Sequence, residues 1–249
     1  MQKFFCYNFS MAIYTFETLD STNLYLKQNF DKYKHFDIIL AEHQTNGYGR
    51  FKRNWIDLGS DNIFMSLCLK VDTFNKNLVS ISQFTALILA KTFELYSAKP
   101  NIKWPNDILI DSKKIAGILA ESVITDSQFK GIVLGIGVNL NSNIKDLSLI
   151  NQNATSLNLI IGKQIDKIEF INKFLEIFKK YYLVFLSDGF KYFKNDYETY
   201  LNCISKVIHI SDSNNSFTGI VKGINDYGQL KLDIDEKIKE ISSGDISFT

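Results

Sequence analysis

The sequence predicts an α+β fold, with a mixed sheet and helices over residues 1–203 and a small β-barrel over residues 204–249. Three observations lead to this prediction. In the longer part, short apolar runs bounded by polar turns are interleaved with stretches of helical periodicity. Closely spaced short strands fill the remainder, a pattern that is typical of a small barrel. A chain of 249 residues is also long enough for one domain of about 200 residues beside a small one.

Strands and helices alternate at the beginning of the chain. Residues 12–16 predict a strand that ends in the polar turn DSTN, where Ser21 is a candidate cap for a helix over residues 22–34. The continuous apolar run at 36–41 predicts a strand in the interior of a sheet. The next two predicted elements are a strand over residues 62–71 and a helix over residues 78–96.

Residues 42–55, EHQTNGYGRFKRNW, interrupt the apolar pattern and combine two glycines with the cations Arg50, Lys52 and Arg53. Flexible glycine backbone beside cations can form a loop that binds phosphate or carboxylate. The segment lacks the Gly-Lys-Ser/Thr of a Walker loop and the third glycine of a dinucleotide fingerprint. A solvated hairpin loop is the alternative interpretation.

Residues 103–122, KWPNDILIDSKKIAGILAES, predict a β-hairpin with polar groups gathered near one end. Its strands are expected over residues 108–110 and 115–123, joined by a tight turn at 111–113. Gly117 marks a position where another group approaches the backbone closely. A structural hairpin needs neither Trp-Pro-Asn-Asp before its first strand nor a lysine at the start of its second. The segment therefore fits either a functional site or a solvated turn with a proline stop.

The second half predicts one buried strand, two helices and the small barrel. Residues 131–139, GIVLGIGVN, form the strand, in which Gly135 and Gly137 leave room for either a ligand or the close packing of another element. Apolar side chains at a period of three to four residues predict an amphipathic helix over residues 168–185, and a shorter helix is expected over 190–201. The strands of the barrel are predicted over residues 206–210, 217–224, 229–234 and 238–241.

Composition, charge and cysteine usage exclude several functional classes. With a net charge of +1, the chain has no basic field of the kind that attracts nucleic acid. Cys6, Cys68 and Cys203 have neither a metal-binding spacing nor a disulfide pattern, which predicts free or buried thiols in a reducing, cytoplasmic compartment. No apolar run is long enough and free enough of charge to span a membrane, and no signal-peptide pattern is present.

Five short motifs occur in a fixed order along the chain. They are Ser21-Thr22-Asn23, then Gln44 with GYGRFKR and Trp55, KWPND at 103–107, KIAGIL at 114–119 and GIGVN at 135–139. Together these motifs resemble those of the biotin–protein ligases, also called biotin–[acetyl-CoA-carboxylase] ligases. The specific part of the resemblance is KWPND followed by K-x-A-G-I-L. The resemblance as a whole covers nearly the whole chain, including the small C-terminal β-domain.

The resemblance implies a catalytic domain like that of class II aminoacyl-tRNA synthetases and lipoate ligases, followed by an SH3-like barrel. It also implies a ligase reaction in two steps. Biotin and MgATP first give biotinyl-5′-AMP and pyrophosphate, and the acyl group then passes to one lysine of a biotin carboxyl carrier protein. The expected ligands are therefore ATP, biotin and Mg²⁺. The expected partner is the carrier protein of acetyl-CoA carboxylase or of another biotin-dependent carboxylase.

The resemblance assigns candidate biotin-binding residues by position. Hydroxyl and amide side chains suit the ureido ring of biotin, which has one carbonyl and two N–H groups. Lys114 corresponds to the family's lysine near the biotin carboxylate and the α-phosphate, and it is a candidate catalytic residue together with Arg50 and Arg53. The expected biotin-binding residues are Ser21, Thr22, Asn23, Gln44, Tyr48, Gly49, Arg50, Lys114 and Gly117.

A second set of residues corresponds to family positions near ATP or the adenylate. The first step brings a carboxylate against a phosphate, so fixed cations are its main source of stabilisation. Trp55 and Trp104 would supply apolar and stacking surface. Asp107 is expected either to help hold Mg²⁺ or to orient a cation, and no other metal ligand is expected. The expected ATP-binding residues are Gly47, Arg50, Arg53, Trp55, Lys103, Asn106, Asp107 and Asn139.

The glycine-rich loop departs from the family pattern Gly-Arg-Gly-Arg-x-Gly-Arg at two positions. Tyr48 stands at the first arginine and Lys52 at the last glycine. Tyr48 removes one side-chain contact to biotin or phosphate, and Lys52 keeps positive charge but stiffens the loop. Because loop closure shields the mixed anhydride from water, some leakage of the adenylate is expected.

Other functions on the same fold stay open. A lipoate or octanoyl ligase or transferase shares the fold, although the Trp-Pro-Asn-Asp segment and the Gly-Arg loop favour biotin. The altered loop also permits a non-catalytic biotin-binding module, although Arg50, Arg53 and Lys114 argue against it. Only 20 residues precede Ser21, too few for the N-terminal DNA-binding domain of ligase-repressors. The monofunctional type, without nucleic-acid binding and as a monomer or homodimer, is therefore expected.

Overall fold

The computed structural model describes residues 11–71, 74–150, 153–211 and 215–248. One sheet contains β1 (Ile13–Leu19), β2 (Ile38–Gln44), β3 (Ile63–Lys70), β4 (Asn101–Lys103), β5 (Asp107–Ile110), β6 (Lys113–Thr125) and β7 (Gln128–Val138). The other contains β8 (Val207–Ser211), β9 (Ser216–Ile224), β10 (Leu230–Ile234), β11 (Lys237–Ile241) and β12 (Asp245–Phe248). The helices are α1 (Thr22–Gln28), α2 (Ile81–Glu94), α3 (Ile144–Leu147), α4 (Leu157–Ile161), α5 (Lys167–Asp188) and α6 (Lys194–Tyr200). None of these helices has the combination of length and apolar character needed to cross a membrane.

The larger sheet is mixed and the smaller one is antiparallel. The strand order is β1-β2-β3-β7-β6-β5-β4 in the first and β11-β10-β9-β8-β12 in the second. Strand β1 runs parallel to β2, whereas β2 runs antiparallel to β3. The predicted α+β class with a small C-terminal β-domain is therefore confirmed. The domain boundary expected near residue 203 stays a prediction.

The described residues cluster into two compact units. The first comprises the described part of Met1–Phe74 together with Leu119–Gly137, and the second comprises the described part of Asn75–Ile118 and of Val138–Thr249. Strand β6 begins in the second unit and ends in the first, so it contributes residues to both. Each unit is described below by itself.

In the first unit, α1 packs on a small apolar cluster. Ser21 caps this helix as predicted, because its Oγ accepts a hydrogen bond from the Leu24 N–H at 3.4 Å. The helix expected to reach residue 34 ends at Gln28. At the next position, the Tyr25 carbonyl accepts both the backbone N–H of Asn29 at 3.1 Å and its side-chain Nδ2 at 2.9 Å, and a short 3₁₀ helix, Phe30–Lys32, follows. The cluster consists of Leu26, Phe30, Tyr33, Ile39, Cys68, Val123 and Val133.

In the second unit, aromatic side chains of α2 and α5 form the core. Both helices were predicted from their periodicity. The fully buried ring of Phe84 on α2 stacks on Phe185 at 4.5 Å between centroids and meets Phe178 and Phe193 at 5.2 and 5.1 Å. Aromatic pairs of this kind contribute about 0.5–1.5 kcal/mol each beyond the burial of their area. This cluster therefore joins α2, α5 and the segment that leads into α6.

The hairpin predicted within residues 103–122 is present as β5 and β6. These strands pair antiparallel, with Ile110 opposite Lys113, and the intervening Asp111 and Ser112 have φ angles of 48° and 61°. Positive φ at both central residues is the requirement of a two-residue type I′ turn. Four elements, β4, α3, α4 and β12, were not predicted. Each has only 3 to 5 residues, which is too short for a periodic pattern to show.

Candidate active site

Four polar side chains are gathered at the start of α1, in the first unit. Thr22 and Asn23 open the helix and are 4% exposed, Gln44 ends β2, and the fully buried Ser66 lies in the middle of β3. The backbone N–H of Thr22 donates to Gln44 Oε1 at 2.8 Å. Ser66 Oγ lies 2.8 Å from Thr22 Oγ1 and 2.6 Å from Asn23 Oδ1. We call Thr22, Asn23, Gln44 and Ser66 the polar cluster.

The polar cluster keeps hydrogen-bonding capacity for a ligand. Gln44 accepts from Thr22 through Oε1, and its Nε2 donors have no acceptor among the described residues. Hydroxyl and amide oxygens retain further lone pairs after the bonds that they make within the cluster. The arrangement can therefore both donate to and accept from a small polar molecule.

Glu121, on β6, joins the polar cluster to the glycine-rich loop. Its Oε2 accepts from Asn23 Nδ2 at 2.9 Å and from the Tyr48 hydroxyl at 3.0 Å, and its Oε1 lies 3.3 Å from Lys27 Nζ. Burial, followed by the charge of Glu121 and the hydrogen bond to it, raises the pKa of Tyr48 to about 12. The Tyr48 hydroxyl is therefore a neutral donor at neutral pH.

The glycine-rich loop is a narrow backbone hairpin in the first unit. The Gly49 N–H donates to the Arg53 carbonyl at 2.8 Å, and the Trp55 N–H donates to the Gly47 carbonyl at 2.9 Å. A Cβ at Gly47 would lie 2.7 Å from Gln44 Nε2 and 2.9 Å from the Trp55 carbonyl oxygen. Glycine is therefore required there for the loop to pack against the polar cluster.

The cations of this loop surround one aromatic side chain. The guanidinium carbons of Arg50 and Arg53 lie 5.0 and 5.8 Å from the centroid of the Phe51 ring, which is 51% exposed. Such cation–π contacts favour keeping both charges near the ring. Phe51 and Lys52 have φ angles of 54° and 55°, in the left-handed region. This region costs a non-glycine residue about 1–2 kcal/mol.

The two glycines of β7 make room for protein side chains. A Cβ at Gly135 would lie 2.3 Å from Asn23 Oδ1, and a Cβ at Gly137 would lie 2.6 Å from ring atoms of Trp55. Of the two interpretations open from the sequence, close packing is therefore the one that these contacts support. The glycines let the polar cluster and the end of the glycine-rich loop approach the strand.

In the second unit, Lys114 and Asp107 form an ion pair. Lys114 Nζ lies 2.9 Å from Asp107 Oδ2, and the two side chains are 24% and 20% exposed. Asp107 Oδ1 accepts from Asn106 Nδ2 at 3.2 Å, so both carboxylate oxygens have partners. Asn106 also donates to the Ile118 carbonyl at 3.0 Å. The predicted residues of the KWPND and KIAGIL motifs thus meet across β5 and β6, where Asp107 pairs with Gly117.

Three further predicted residues of the second unit have defined positions. Lys103 is half-buried and lies opposite Asp107 in the pairing of β4 with β5. Asn139 is 5% exposed, and its Nδ2 donates to the Thr155 carbonyl at 3.1 Å. Trp104 is 1% exposed, and its Nε1 donates to the Gly228 carbonyl at 2.9 Å. Its ring therefore packs inside the protein and offers no stacking surface in this structure.

The described residues include no group of three or more His, Cys, Asp or Glu side chains that could hold a metal ion. The one candidate from the sequence, Asp107, uses one oxygen for Lys114 and the other for Asn106. This carboxylate fits the orientation of a cation better than the binding of Mg²⁺.

Ser66 and Glu121 are the two residues of these groups that the sequence did not identify. Ser66 interrupts the apolar run IFMSLCLK only once, and Glu121 follows the KIAGIL motif by two positions. A polar residue at the centre of a fully buried strand is the available signal for Ser66, because such a group needs hydrogen-bond partners.

The fold and these residue groups define a class of protein: an α+β protein with a buried polar cluster and a cationic glycine-rich loop that packs against it. Comparison with known proteins agrees with that class. The model described as the biotin/lipoate A/B protein ligase family matches residues 15–139, and the model described as the biotin protein ligase C terminal domain matches residues 206–249. The chain belongs to the biotin/lipoate A/B protein ligase family.

Individual relatives support this assignment. The bifunctional ligase/repressor BirA of Bacillus spizizenii is 34% identical over 213 residues, which are 85% of this chain and 66% of that protein. This chain thus spans about two thirds of that relative. The biotin–[acetyl-CoA-carboxylase] ligase of Paracoccus denitrificans is 29% identical over 78% of this chain and 82% of its own length. The solved biotin protein ligase of Aquifex aeolicus, in complex with biotin and ATP, has a TM-score of 0.80 and 25% identity, covering 96% of this chain and 98% of that one.

Proposed function

We propose that this chain is a biotin–protein ligase that activates biotin with ATP and transfers it to a lysine of a biotin carboxyl carrier protein. The observation that carries the proposal is the buried polar cluster, against which the glycine-rich loop with its two arginines packs at Gly47. The ureido ring of biotin needs one or more donors for its carbonyl and two acceptors for its N–H groups. Gln44 Nε2 supplies donors, and Thr22 Oγ1 and Asn23 Oδ1 supply acceptors, with Ser21 at the edge of the group.

The first step joins two anions, and three cations would offset their repulsion. A carboxylate oxygen of biotin forms a bond to the α-phosphorus of ATP, and the bond from that phosphorus to the pyrophosphate oxygen breaks. Arg50, Arg53 and Lys114 would stabilise the charge that develops on the phosphoryl oxygens. Gly49 would allow the loop backbone to approach the ligand, and Gly117 would do the same on β6.

Mg²⁺ would enter with ATP, because its usual ligands in such sites are the phosphate oxygens, waters and one or two carboxylates. Asp107 would orient Lys114, which is the role that its two hydrogen-bonded oxygens favour. Lys103, Asn106, Asn139 and Trp55 would complete the surroundings of the nucleotide.

In the second step, the amine of the acceptor lysine forms a bond to the biotinyl carbonyl carbon, and AMP leaves. Water competes with that amine, so the loop must protect the adenylate. Lys52 in the left-handed region makes the loop stiffer than a glycine would. Some release of adenylate is therefore expected: similar rates of AMP production with and without carrier protein would support it, and strict dependence on the carrier would contradict it.

The partner that we propose is the carrier protein of acetyl-CoA carboxylase or of another biotin-dependent carboxylase. The proposed location is the cytoplasm, because the two cysteines that the structure describes, Cys68 and Cys203, are both free thiols. The proposed oligomeric state is a monomer or a homodimer.

The test is biotin-dependent formation of adenylate from labelled ATP, with Lys114→Ala and Arg50→Ala beside the wild type. Activity in the wild type that falls by at least about a hundredfold in both variants is expected, since removal of one stabilising group costs about 10²–10³ in kcat. Competition between biotin and lipoic acid for adenylation distinguishes a biotin ligase from a lipoate ligase. Binding of biotin without any release of pyrophosphate would contradict the proposal and indicate a binding module.

A further inference from the structure

We propose that Glu121 is a positioning residue that fixes Asn23 of the polar cluster and, through Tyr48, holds the glycine-rich loop in place. This inference rests on the proposed function and extends it to a residue that touches neither biotin nor ATP in that scheme. The carboxylate lies on β6 in the first unit, where it bonds to one side chain of α1 and one of the loop.

The bond to Asn23 determines which end of its amide faces the polar cluster. A carboxylate can only accept, so Glu121 Oε2 holds the Nδ2 end at 2.9 Å. The Leu119 carbonyl accepts from the same nitrogen at 3.3 Å. Asn23 Oδ1 must then point to Ser66, 2.6 Å away. A flipped amide would place its oxygen against the carboxylate, so Glu121 keeps Asn23 as an acceptor for a ureido N–H.

The bond to Tyr48 anchors the loop. Tyr48 lies between Gly47 and Gly49, which have no side chains of their own to hold this part of the loop. Its hydroxyl donates to Glu121 Oε2 at 3.0 Å. A neutral donor to a partly buried carboxylate makes one strong, directional bond that does not depend on pH near neutrality.

The other oxygen of Glu121 provides a control. Lys27 Nζ lies 3.3 Å from Oε1, and the lysine side chain is 42% exposed. An exposed ion pair of this kind contributes little to the stability of the fold. Replacement of Lys27 therefore changes the charge near Glu121 while it preserves the bonds to Asn23 and Tyr48.

The experiment compares Glu121→Gln, Tyr48→Phe, the double variant and Lys27→Gln. A glutamine can present either an oxygen or an NH₂ group to Asn23, so Glu121→Gln is expected to weaken biotin binding by about tenfold in calorimetry without ATP. Tyr48→Phe is expected to raise the release of free biotinyl-5′-AMP about tenfold relative to carrier biotinylation, because the loop loses its bond to Glu121. Lys27→Gln is expected to match the wild type in both measurements.

The double variant tests whether the two residues act through one bond. If they do, the release of adenylate in the double variant should equal that of Tyr48→Phe alone, because removal of the hydroxyl already abolishes the bond to residue 121. Additive effects on release, or unchanged biotin binding in Glu121→Gln, would overturn the inference. A purely structural role would lower all rates together and leave the ratio of released to transferred biotin unchanged.

The proposed function and this inference can fail separately. Absence of adenylate formation in the wild type would reject the ligase reaction and not the positioning role. That role is then decided by amide hydrogen exchange of residues 47–49, which Tyr48→Phe should accelerate about tenfold, because loss of one hydrogen bond favours local opening. Exchange at the wild-type rate in Tyr48→Phe would overturn the inference in either case.

Discussion

Tyr197, on α6, places a phenolic hydroxyl in the interior of the second unit. Its side chain is fully buried, its ring meets Phe190 edge-on at 5.2 Å, and its hydroxyl has no hydrogen-bond partner among the described residues. Burial raises the pKa of Tyr197 well above its usual value, so the hydroxyl stays protonated. An unpaired buried donor costs about 1–3 kcal/mol. Tyr197→Phe is therefore expected to raise the free energy of unfolding in urea by about 1 kcal/mol.

Tyr200→Phe is the matched control on the same helix. Burial and a hydrogen bond to Glu94 raise the pKa of Tyr200, so this hydroxyl has a partner that Tyr197 lacks. Its removal is expected to leave the stability unchanged or to lower it. A loss of stability in Tyr197→Phe would show that its hydroxyl is satisfied in solution.

At the scale of single residues, the sequence identified those whose chemistry stands out from their surroundings. Ser21, Thr22, Asn23 and Gln44 were predicted as one binding group. Thr22 bonds directly to Gln44, and Ser66 links Thr22 to Asn23. Ser66 itself was missed, because a single serine in an apolar strand can equally be a core residue without any binding role. Glu121 was missed because its partners lie 73 and 98 positions away in the chain, and no local pattern records them.

At the scale of secondary structure, turn chemistry was easier to predict than the ends of helices. A tight turn was expected at residues 111–113, and the structure has a two-residue turn at Asp111 and Ser112, with Lys113 already in β6. The early end of α1 was not expected, because the change from α1 to the short 3₁₀ helix Phe30–Lys32 leaves no mark in the pattern of residues 22–34. A single asparagine in a periodic segment is compatible both with a helix that continues through it and with a helix that ends there.

The turn between β5 and β6 contains strain that a glycine would relieve. Ser112 has a φ angle of 61° and is exposed, so its side chain makes no demand on the packing. The left-handed region costs a non-glycine residue about 1–2 kcal/mol. A glycine avoids this cost but lowers the free energy of unfolding by about 0.5–1 kcal/mol, because it has more conformational entropy to lose on folding. Ser112→Gly is therefore expected to raise the free energy of unfolding by roughly 0.5–1 kcal/mol, measured in urea.

Ser112→Ala separates the backbone effect from the loss of the hydroxyl. Alanine keeps the cost of the left-handed region, so this variant is expected to be less stable than Ser112→Gly by about 1 kcal/mol. Equal stability of the two variants would mean that the turn does not hold a positive φ at this position.

At the scale of the whole molecule, long-range contacts are what the sequence did not reveal. Trp104 Nε1 and Gln83 Nε2 both donate to the Gly228 carbonyl, at 2.9 and 3.2 Å, across 124 and 145 positions of the chain. These two bonds join the KWPND segment and α2 to the turn between β9 and β10. From the sequence, Trp104 was interpreted as a stacking surface for a ligand. Its buried indole N–H instead donates to the carbonyl of Gly228 in that turn, so this tryptophan of the motif has a structural role.

The two described thiols give the whole molecule a dependence on alkaline pH. Cys68 and Cys203 are fully buried, and burial raises the pKa of each from 9.0 to about 12. Below pH 9 both the folded and the unfolded chain keep these protons, so the thiols add no pH dependence. Above pH 9 the unfolded chain loses them first, and the free energy of unfolding falls by up to about 1.4 kcal/mol per pH unit for each thiol.

Urea unfolding in reducing buffer between pH 8 and pH 10 measures this effect, and the tyrosines, which begin to ionise in the same range, contribute equally to both proteins compared. The wild type is compared with the double variant Cys68→Ala, Cys203→Ala. The observable is the slope of the free energy of unfolding against pH. The lost side-chain volume lowers this free energy equally at every pH and leaves the slope unchanged. Cys6 is present in both proteins and cancels. A flatter slope in the double variant is expected, because only native burial separates the two pKa values of each thiol. An unchanged slope would mean that both thiols ionise as readily in the folded chain as in the unfolded one, and that neither is as buried in solution as the structure has it.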